Sequence, residues 1–309
     1  MIFKSPRIGF IGFGEVAYHF SRGLKEDGIR EILAYDKNAK EITKGEMVRR
    51  RAREARVQLA PSLRRLVVES DLIFSAVWGN AALKVAGRCA SFVRAGQFYC
   101  DVNNTAPSVK MRGAEMLNAK GAKYVDLALF VAPDRDKHRS FMLASGDGAH
   151  PFNKVMARYG MKPEVVPGGA GKATTIKTLV NIYYKGIQAL CLEVAMSAWK
   201  VGIDTELLAP LVIKPVESLP KEEEMAFWII RGILHAERKA AELESIIKAV
   251  REWGIKPIML DAARKRLKTV SEYGLKGYMK GDGRKGNDRA LLKAIGKAQK
   301  RTELKMTDL

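Results

Sequence analysis

Four polar residues recur at helical spacing within the otherwise apolar segment 169–200. They are Lys177, Asn181, Tyr184 and Gln188. Side chains three and four residues apart lie one above another on a helix, so these four are predicted to form a polar strip. Burial lowers the pKa of a lysine towards the range in which its amine exchanges protons. Lys177 is therefore a candidate general acid and base, with a lysine whose ammonium reaches water as the alternative.

A glycine-rich loop near the start of the chain is the second group with possible chemistry. Gly12 and Gly14 directly follow a β-branched and aromatic run, and Ala17 takes the third small position. The first glycine permits a tight turn, the second lets the backbone approach a pyrophosphate, and the third residue permits close helix packing. A dinucleotide site is therefore predicted, with a structural glycine turn as the alternative. Its phosphate-binding residues would be Gly12, Phe13, Gly14, Glu15 and Val16.

Asp36 supports this interpretation, because it ends the second predicted strand about twenty residues further on. An acidic side chain there binds the ribose hydroxyls of the adenosine half and repels a 2′-phosphate. NAD is therefore the preferred cofactor, and Lys37 is included among the residues that bind it. Lys37 and the run Arg49–Arg51 would attract a 2′-phosphate, so NADP stays open.

Polar residues also follow two later predicted strands. Val77 and Trp78 close one strand, and Asn103, Asn104 and Thr105 follow the next. Ligands of open α/β sheets bind at the carboxyl ends of the strands. Val77, Trp78 and Asn103 are therefore predicted to bind the cofactor, and Asn104 and Thr105 the substrate. Ordinary packing is the alternative for Trp78, and Thr105 is also predicted to cap the following helix.

Two further polar groups are candidates for contacts with an acidic substrate. The first comprises Arg135, Lys137, His138 and Arg139. It could hold a carboxylate or phosphate, with a solvated loop as the alternative. His235, Arg238 and Glu242 share one face of a helix predicted over residues 222–252. Tyr184 and His235 are assigned to the substrate, and an exposed polar face is the alternative for His235.

A parallel sheet followed by helices would position these residues. Up to residue 167, short β-branched or aromatic runs alternate with helical patterns, which is typical of βαβ units, and the rest reads as helix. The predicted domains are residues 1–167, which bind the dinucleotide, and 168–274, which are all-helical. Residues 275–309 form a basic tail. A broad buried face is predicted on the long helix after Gly169, from Ile176, Leu179, Val180, Tyr183, Ile187, Leu190, Val194 and Ala198.

Composition excludes several classes of protein. The 309 residues are 47% hydrophobic and 28% charged, and no apolar run is long enough to span a bilayer. The N-terminus lacks a separate apolar signal segment, so a cytoplasmic location is predicted. Cys89, Cys100 and Cys191 are too few for a disulfide framework or a zinc site and are predicted to be buried. The four histidines lack ligand spacing, so no metal is predicted.

The net charge of +20 is unusual, since 54 lysine and arginine residues face 34 acidic ones. Residues 37–65 carry ten basic and three acidic side chains, and residues 276–309 carry ten and four. Such a field attracts anions without choosing among them. The interleaved aromatic residues of a base-stacking platform are missing. A small anionic metabolite is therefore the predicted partner, and nucleic acid is disfavoured.

Taken in order, these motifs resemble the β-hydroxyacid dehydrogenase superfamily, which includes 3-hydroxyisobutyrate and 6-phosphogluconate dehydrogenases. G-F-I-G-F-G-E-V-A resembles the opening G-F-I-G-x-G-x-M-G, and D-V-N-N-T-A-P resembles the loop D-x-S-T-x-x-P. Lys177 and Asn181 fall on the motif K-x-x-x-N. The resemblance covers residues 6–270. It implies a Rossmann domain, an all-α domain led by a long interdomain helix, a lysine acid/base and an asparagine that binds substrate.

Other segments resemble the phosphogluconate-dehydrogenase-like branch with its own small C-terminal helical domain. These are Y-V-D-L-A-L-F-V-A-P and H-A-E-R-K-A-A-E. Hydroxyisobutyrate-type enzymes hold the substrate carboxylate on a Ser-Gly-Gly backbone, where this chain has Phe130, Val131 and Ala132, so their substrate does not carry over. Imine reductases usually replace the lysine by Asp or Tyr, so Lys177 argues against that chemistry. Relatives pair through their helical domains, which predicts a homodimer in which His235 could line the partner's pocket.

The predicted function is that of an NAD(P)-dependent oxidoreductase acting on a small, anionic hydroxy acid. A nucleotide-sensing regulator on a non-catalytic scaffold would keep the glycine loop and Asp36 without turnover. A nucleic-acid-binding protein on such a scaffold would explain the charge, yet leave Lys177 and Asn181 unexplained.

Overall fold

The computed structural model describes residues 5–275 and 294–298. The chain divides into two compact units, Met1–Ile182 and Tyr183–Leu309. This division falls inside the long helix, later than the predicted domain boundary at residue 167, because the first turns of that helix pack on the sheet. Most of the predicted tail lies outside the described residues. Within the tail, residues 294–298 are described and are helical.

The described part of the first unit contains one eight-stranded sheet in the order β3-β2-β1-β4-β5-β6-β7-β8. All neighbouring pairs are parallel except β6 and β7. The strands are β1 (Ile8–Ile11), β2 (Ile32–Tyr35), β3 (Gln58–Leu59), β4 (Leu72–Ser75), β5 (Phe98–Asp101), β6 (Lys123–Leu129), β7 (Met142–Ser145) and β8 (Glu164–Val165). The reversal of strand order at β1 places the carboxyl ends of β1 and β4 beside a crevice, where ligands of such sheets bind.

Helices cover both faces of this sheet, as the alternation of βαβ units predicts. They are α1 (Glu15–Glu26), α2 (Lys44–Glu54), α3 (Leu63–Glu69), α4 (Gly79–Ala90), α5 (Pro107–Asn118), a short α6 (Pro133–Asp136) and α7 (Ala149–Met156). Successive residues of a strand point to opposite faces. Phe10 and Phe74 accordingly pack with Phe20 of α1, while Ile73 and Tyr99 pack in a second core with α3, α4 and α5.

Helix α8 (Lys172–Lys200) begins on the sheet. Ala173 is fully buried and packs with Ala128 and Leu143. The prediction of a broad buried face along α8 is wrong for the chain by itself. Helical periodicity identifies an apolar face without identifying what covers it, and this one is largely exposed. The exposed members are Leu179, Tyr183, Ile187, Leu190 and Val194.

The described part of the second unit is helical, as the sequence predicts. Besides the end of α8 it contains α9 (Thr205–Ile213), α10 (Lys221–Leu234), α11 (Ala236–Glu252) and α12 (Ile258–Glu272). The single helix predicted over residues 222–252 breaks at His235. Its apolar stripe serves two separate contacts, since Ile233 packs with Leu275 and Ala294, whereas Val250 lines an apolar cavity of about 280 Å³ beside α8 and α12. Periodicity alone does not register such a one-residue break.

Other predictions about exposure have mixed outcomes. Cys89 and Cys100 are buried as predicted, whereas Cys191 lies on the open face of α8 and is exposed. No described helix is long and apolar enough to cross a membrane. Among the described residues, no cluster of histidine, cysteine and acidic side chains is placed to hold a metal ion.

Candidate functional site

The glycine loop joins β1 to α1 at the carboxyl edge of the sheet. Gly12 has a φ of +83°, and a Cβ at this position would collide with the backbone carbonyl of Ala76. Gly14 precedes α1, and beyond its two chain neighbours no protein atom lies within 4 Å of where a Cβ would be. No side chain caps α1, so the first-turn N–H groups have no capping side-chain acceptor. The loop therefore leaves room for an anion against the positive end of a helix.

Asp36 lies immediately after β2 and ties that strand end to the glycine loop. Its Oδ2 accepts a hydrogen bond from the backbone N–H of Phe13 at 2.9 Å, and Oδ1 accepts one from Asn38 at 2.9 Å. A carboxylate oxygen has two lone pairs, so each oxygen retains capacity for a ribose hydroxyl. Lys37 is exposed beside it. The structure thus brings Asp36 and the loop residues together, as the twenty-residue spacing predicts.

The Asn103 side chain connects the ends of two neighbouring strands. Its Oδ1 accepts a hydrogen bond from the backbone N–H of Val77 at 2.6 Å. Its Nδ2 donates to Ser75 Oγ at 2.9 Å and to Asp101 Oδ1 at 2.7 Å. Both amide hydrogens and one lone pair of Oδ1 are therefore used within the protein, and only 5% of the residue is exposed. Cofactor binding by Asn103 stays a prediction that rests on its place beside β4, not on a free amide.

Trp78 and Asn104 lie together at the mouth of the crevice. Trp78 immediately precedes α4 and is 86% exposed, which excludes ordinary packing within the chain. A Cβ on Gly79 would collide with the backbone oxygen of Asn104, so the start of α4 touches the loop after β5. Thr105 does not cap α5 as predicted, because Ala106 takes the N-cap position and places the hydroxyl one residue too early. That hydroxyl is buried without a hydrogen-bond partner.

Lys177 lies on the second turn of α8 and is partly buried. Burial lowers the pKa of its ammonium below the ordinary 10.5, and the positive charge of Lys110 lowers it further. The negative charge of Asp126 opposes both effects. Asn181 lies one turn further along the same face and is also partly buried. The environment therefore favours the neutral amine at a lower pH than in a solvated lysine.

A buried lysine and two aspartates lie directly behind this site. Lys110 on α5 is completely buried, and its Nζ donates to the backbone oxygen of Asp101 at 2.7 Å and to Asp101 Oδ1 at 2.8 Å. Its distance to Asp126 Oδ1 is 3.5 Å. Tyr124 Oη donates to Asp101 Oδ2 at 2.7 Å. One cation thus compensates two carboxylates, one at the end of β5 and one in the middle of β6.

Asp126 extends this cluster to the start of α8. Its Oδ2 accepts hydrogen bonds from the backbone N–H groups of Gly171 at 3.1 Å and Thr174 at 3.0 Å, and its Oδ1 accepts one from Thr174 Oγ1 at 2.6 Å. Ser145 Oγ accepts a further bond from the backbone N–H of Ala173. The carboxylate therefore stabilises the positive end of α8, three residues before Lys177.

The sequence interpretation missed this cluster, although one signal for Lys110 exists. Lys110 occupies the helical stripe formed with Gly113, Ala114 and Leu117, whose other members are small or apolar. A lone lysine on the buried face of a helix requires a buried partner. Asp101 ends β5, whereas Asp126 lies in the middle of β6. Only the register between these two strands reveals that the two residues are neighbours.

The group around His138 pairs with acidic residues at the end of α1, which matches neither of the two interpretations that the sequence left open, an anion site and a solvated loop. Nε2 of His138 lies 2.9 Å from Asp27 Oδ2 and 2.7 Å from the backbone oxygen of Tyr159. Lys137 pairs with Glu26, and Arg139 binds Asp27 as well. These cations are compensated by α1 because the chain returns to that helix after β6. The fourth member, Arg135, is 91% exposed.

Tyr184 and His235 belong to the second unit. Tyr184 is exposed on α8, and His235 separates α10 from α11. Arg238 and Glu242 form an ion pair with each other on the surface of α11. The assignment of Tyr184 and His235 to the substrate stays a prediction.

Comparison with known proteins also indicates a nucleotide-binding domain in the first unit. Residues 7–148 match the family model described as the NAD binding domain of 6-phosphogluconate dehydrogenase. A solved structure of a conserved protein of unknown function, described as similar to 3-hydroxyacid dehydrogenases, is 27% identical, with a TM-score of 0.57. The match covers 88% of this chain and 99% of that one. The matched NAD-binding domain and this structural likeness fit the β-hydroxyacid dehydrogenase superfamily.

Other matches include an uncharacterised protein and a reductase, and this chain is compared with each in turn. It is 30% identical over 266 residues to the "Uncharacterized 28.5 kDa protein in 7S RNA 5'region" of Methanothermus fervidus, covering 86% of this chain and 99% of the relative. A reductive aminase from Aspergillus terreus, in complex with NADPH4, cyclohexanone and allyl amine, shares the fold at 19% identity. Its TM-score is 0.69, over 89% of this chain and 96% of that one.

The first unit is therefore a Rossmann domain of the NAD(P)-binding type. The segment after β6 departs from the Ser-Gly-Gly pattern of the hydroxyisobutyrate-type enzymes. Phe130 there packs against Phe141 at a ring-centroid distance of 5.4 Å, and Ala132 precedes α6. Phe130 is partly buried and also packs against the cluster of Ala128, Leu143 and Ala173.

Proposed function

We propose that this protein is an NAD(P)-dependent dehydrogenase that transfers a hydride between nicotinamide C4 and the carbinol carbon of a small anionic hydroxy acid. The observation that carries the proposal is the partly buried Lys177, whose pKa is lowered beside the Lys110 and Asp126 charges. It lies on the helix that follows an NAD(P)-binding domain. A proton-transfer group of this kind complements hydride transfer to a cofactor.

The proposed reaction balances with one proton and one hydride. In the oxidative direction the neutral Lys177 amine accepts the substrate hydroxyl proton, and the carbinol C–H bond breaks with transfer of its electron pair to the nicotinamide. The products are a carbonyl, a reduced cofactor and a lysine ammonium. The reverse reaction uses the ammonium as the acid. Asn181, one helical turn away, is positioned to orient the hydroxyl or the amine.

An anionic substrate is supported by the charge of the chain. The excess of 54 basic over 34 acidic residues attracts anions, and the substrate-facing Lys177 is itself a cation in one of its two states. Imine reduction is not the proposal, although the structural neighbours include a reductive aminase. The superfamily resemblance assigns Lys177 to alcohol and carbonyl chemistry, and neighbours below a quarter identity share only the fold.

NAD is the proposed cofactor, with NADP as the alternative. The Asp36 carboxylate would repel a 2′-phosphate. The arginines that kept NADP open have other partners. Arg49 donates hydrogen bonds to three backbone carbonyls of the loop before it, and Arg50 pairs with a glutamate at 3.8 Å. The Arg51 guanidinium lies over a tyrosine ring at 5.8 Å. Lys37 is the neighbouring cation that supports NADP.

The test is a calorimetric titration with NADH and with NADPH, followed by a screen of 2- and 3-hydroxy acids and their phosphates for a change in nicotinamide absorbance. We expect NADH to bind more tightly. In Gly14→Ala we expect affinity to fall by about tenfold or more, because the second glycine allows close approach to the pyrophosphate. The melting temperature should stay unchanged, since a Cβ there meets no protein atom.

Gly12→Ala is the contrasting variant. A Cβ at Gly12 collides with the Ala76 carbonyl and requires a strained positive φ, so this protein should melt at a lower temperature. Failure of wild-type protein to bind either dinucleotide would reject the proposed function. Equal affinity of wild type and Gly14→Ala would reject the placement of the pyrophosphate.

We also propose a homodimer formed through the helical unit. Several large apolar side chains on α8 are exposed in the single chain, including Leu192 at 65%, Met196 at 57% and Trp199 at 86%. Monomeric soluble proteins rarely expose an apolar patch of this extent. The exposed side chains of α9 continue the apolar character of the unit, and they are Leu207, Leu211, Val212 and Ile213.

Light scattering coupled to size-exclusion chromatography should give the mass of two chains. Met196→Lys places a charge on the exposed apolar face of α8, so we expect a shift towards the mass of one chain at equal concentration. Ile42→Lys is the matched control, because Ile42 is an apolar side chain that is 90% exposed in the first unit. A single-chain mass for the wild type, or equal masses for Met196→Lys and wild type, would contradict this proposal.

A further inference from the structure

A second concave site lies at the edge of the sheet opposite the glycine loop. It is a cleft of about 620 Å³ beside the first residues of three parallel strands. Asp71 precedes β4, Phe98 begins β5 and Lys123 begins β6. The opposite wall comes from α7 and the turn after it, including Lys154 and Arg158. The volume lies within the range of small-molecule sites, which is about 300–1,000 Å³.

The cleft carries a local excess of positive charge. Four basic residues and one acidic residue line it, and the acid is already compensated. Asp71 binds Arg94 at 2.7 Å and also Arg7, outside the cleft, at 3.2 Å. Across the part of the chain that the structure describes, no acidic side chain pairs with Lys123, Lys154 or Arg158. Their mutual repulsion would be relieved by a multiply charged anion.

The floor of the cleft is apolar, in contrast to its charged rim. Only 4% of Phe98 is exposed, and this residue forms part of the floor with Val155 and Pro151. The Lys123 ammonium lies 5.6 Å from the centroid of the Phe98 ring, so cation and aromatic surface are adjacent. A ligand with an apolar body and a charged end matches this arrangement.

The backbone of the cleft offers little to a ligand. The N–H of Gly96 donates to the backbone oxygen of Gly121, and the N–H of Gln97 donates to that of Arg94. The Gln97 amide donates two further bonds to backbone carbonyls at 2.6 and 2.7 Å. Recognition at this site would therefore depend on the lysine and arginine side chains. Such side chains select for negative charge.

We propose that this cleft is a second ligand site, which binds a small, multiply charged anion of the phosphorylated or polycarboxylate class. It is separate from the dinucleotide site, because the four residues of β5 span about 13 Å between the two edges of the sheet. The inference is independent of the proposed dehydrogenase reaction. A bounded cleft of this size favours one small molecule over a nucleic acid, which is bound along an extended groove.

The test is a calorimetric titration of the full chain with inorganic pyrophosphate and with phenyl phosphate at fixed ionic strength, with and without saturating NADH. We expect saturable binding of both anions in the presence of NADH. The double variant Lys123→Gln, Arg158→Gln should bind about tenfold more weakly or worse, since two charge-assisted contacts are lost. Both side chains are exposed, so the melting temperature should change little.

The matched control is Lys84→Gln, Arg112→Gln. This variant removes the same charge from exposed positions on α4 and α5 and should keep wild-type affinity. Equal weakening in both double variants would overturn the proposal, because the general field of the protein would then explain the binding. Absence of saturable binding in the wild type would overturn it as well. Cleft-dependent binding of a single-stranded oligonucleotide without binding of either anion would identify a nucleic-acid surface instead.

NADH binding separates this inference from the proposed function. Cleft-dependent pyrophosphate binding by a protein that fails to bind NADH would reject the dehydrogenase proposal and support the second site. Turnover without any anion binding at the cleft would support the dehydrogenase proposal and reject the second site.

Discussion

Lys177→Ala is expected to lower kcat by about 10²–10⁴, the usual contribution of a positioned general acid or base. The affinity for NADH should remain at the wild-type value, because Lys177 lies on α8 whereas the glycine loop and Asp36 lie at the ends of β1 and β2. Steady-state kinetics with the acid found in the screen would measure the first effect. Calorimetric titration with NADH would measure the second.

The pH dependence gives a second measurement of the same group. Burial and Lys110 lower the pKa of Lys177 below 10.5. The neutral amine is the base, so the rate of oxidation should rise with pH through that lowered pKa. The ammonium is the acid, so the rate of reduction should fall over the same interval. Both pH-dependent limbs should disappear in Lys177→Ala.

Lys185→Ala is the control for charge and helix propensity. Lys185 is exposed on α8, two turns beyond Lys177, and its ammonium donates a hydrogen bond to Gln188 Oε1 at 3.4 Å. It should keep the wild-type rate and pH profile. A rate in Lys177→Ala within threefold of the wild type would remove the lysine from the proposed mechanism.

Lys110→Met is expected to lower the free energy of unfolding by about 3–5 kcal/mol, the usual effect of leaving a buried charge without its partner. The methionine fills much of the lysine volume, so the loss would arise from Asp101 and Asp126, which keep their buried negative charges. Urea unfolding followed by circular dichroism would measure it. Lys84→Met replaces an exposed lysine and should change stability by no more than about 0.5 kcal/mol.

The double variant Asp101→Asn, Lys110→Met separates charge from shape. Removing one carboxylate should restore part of the stability lost in Lys110→Met, and the sum of the single effects would then exceed the double effect. A loss below about 1 kcal/mol in Lys110→Met would contradict a buried, uncompensated pair of carboxylates.

Lys110→Met should also change catalysis through Lys177. Loss of the Lys110 charge and full exposure of Lys177 to the Asp126 charge both raise the pKa of Lys177. The limb for oxidation should therefore move to higher pH, while kcat at its plateau changes less. A merely structural role for Lys110 would reduce stability without moving this limb.

The order of strands and helices along the chain could be predicted because each element depends on the pattern of residues within its own segment. Strands alternate with helices up to β8 and only helices follow, as the sequence predicts. The glycine turn is similarly determined by the chain itself, since Gly12 requires a positive φ. The spacing to Asp36 follows from one βαβ unit, so the hydrogen bond from Phe13 to Asp36 joins two parts of one motif.

Other features depended on which segments meet across the sheet. His138 and Arg139 read as a free basic run, yet α1 supplies Asp27 from more than a hundred residues earlier in the chain. Asn103 read as a ligand-facing amide, yet β4 supplies Val77 and Ser75 as its partners. A side chain's partners across a sheet are set by register, which no local pattern specifies.

The sequence by itself therefore determined the βαβ alternation, the glycine loop with Asp36 and the helix that carries Lys177 and Asn181. Only the tertiary structure decided that Lys110 is buried between Asp101 and Asp126, and that these charges act on Lys177. The physical reason is the range of the interactions. Backbone geometry and helical periodicity are set within a few residues, whereas desolvation and charge pairing depend on segments that only folding brings together.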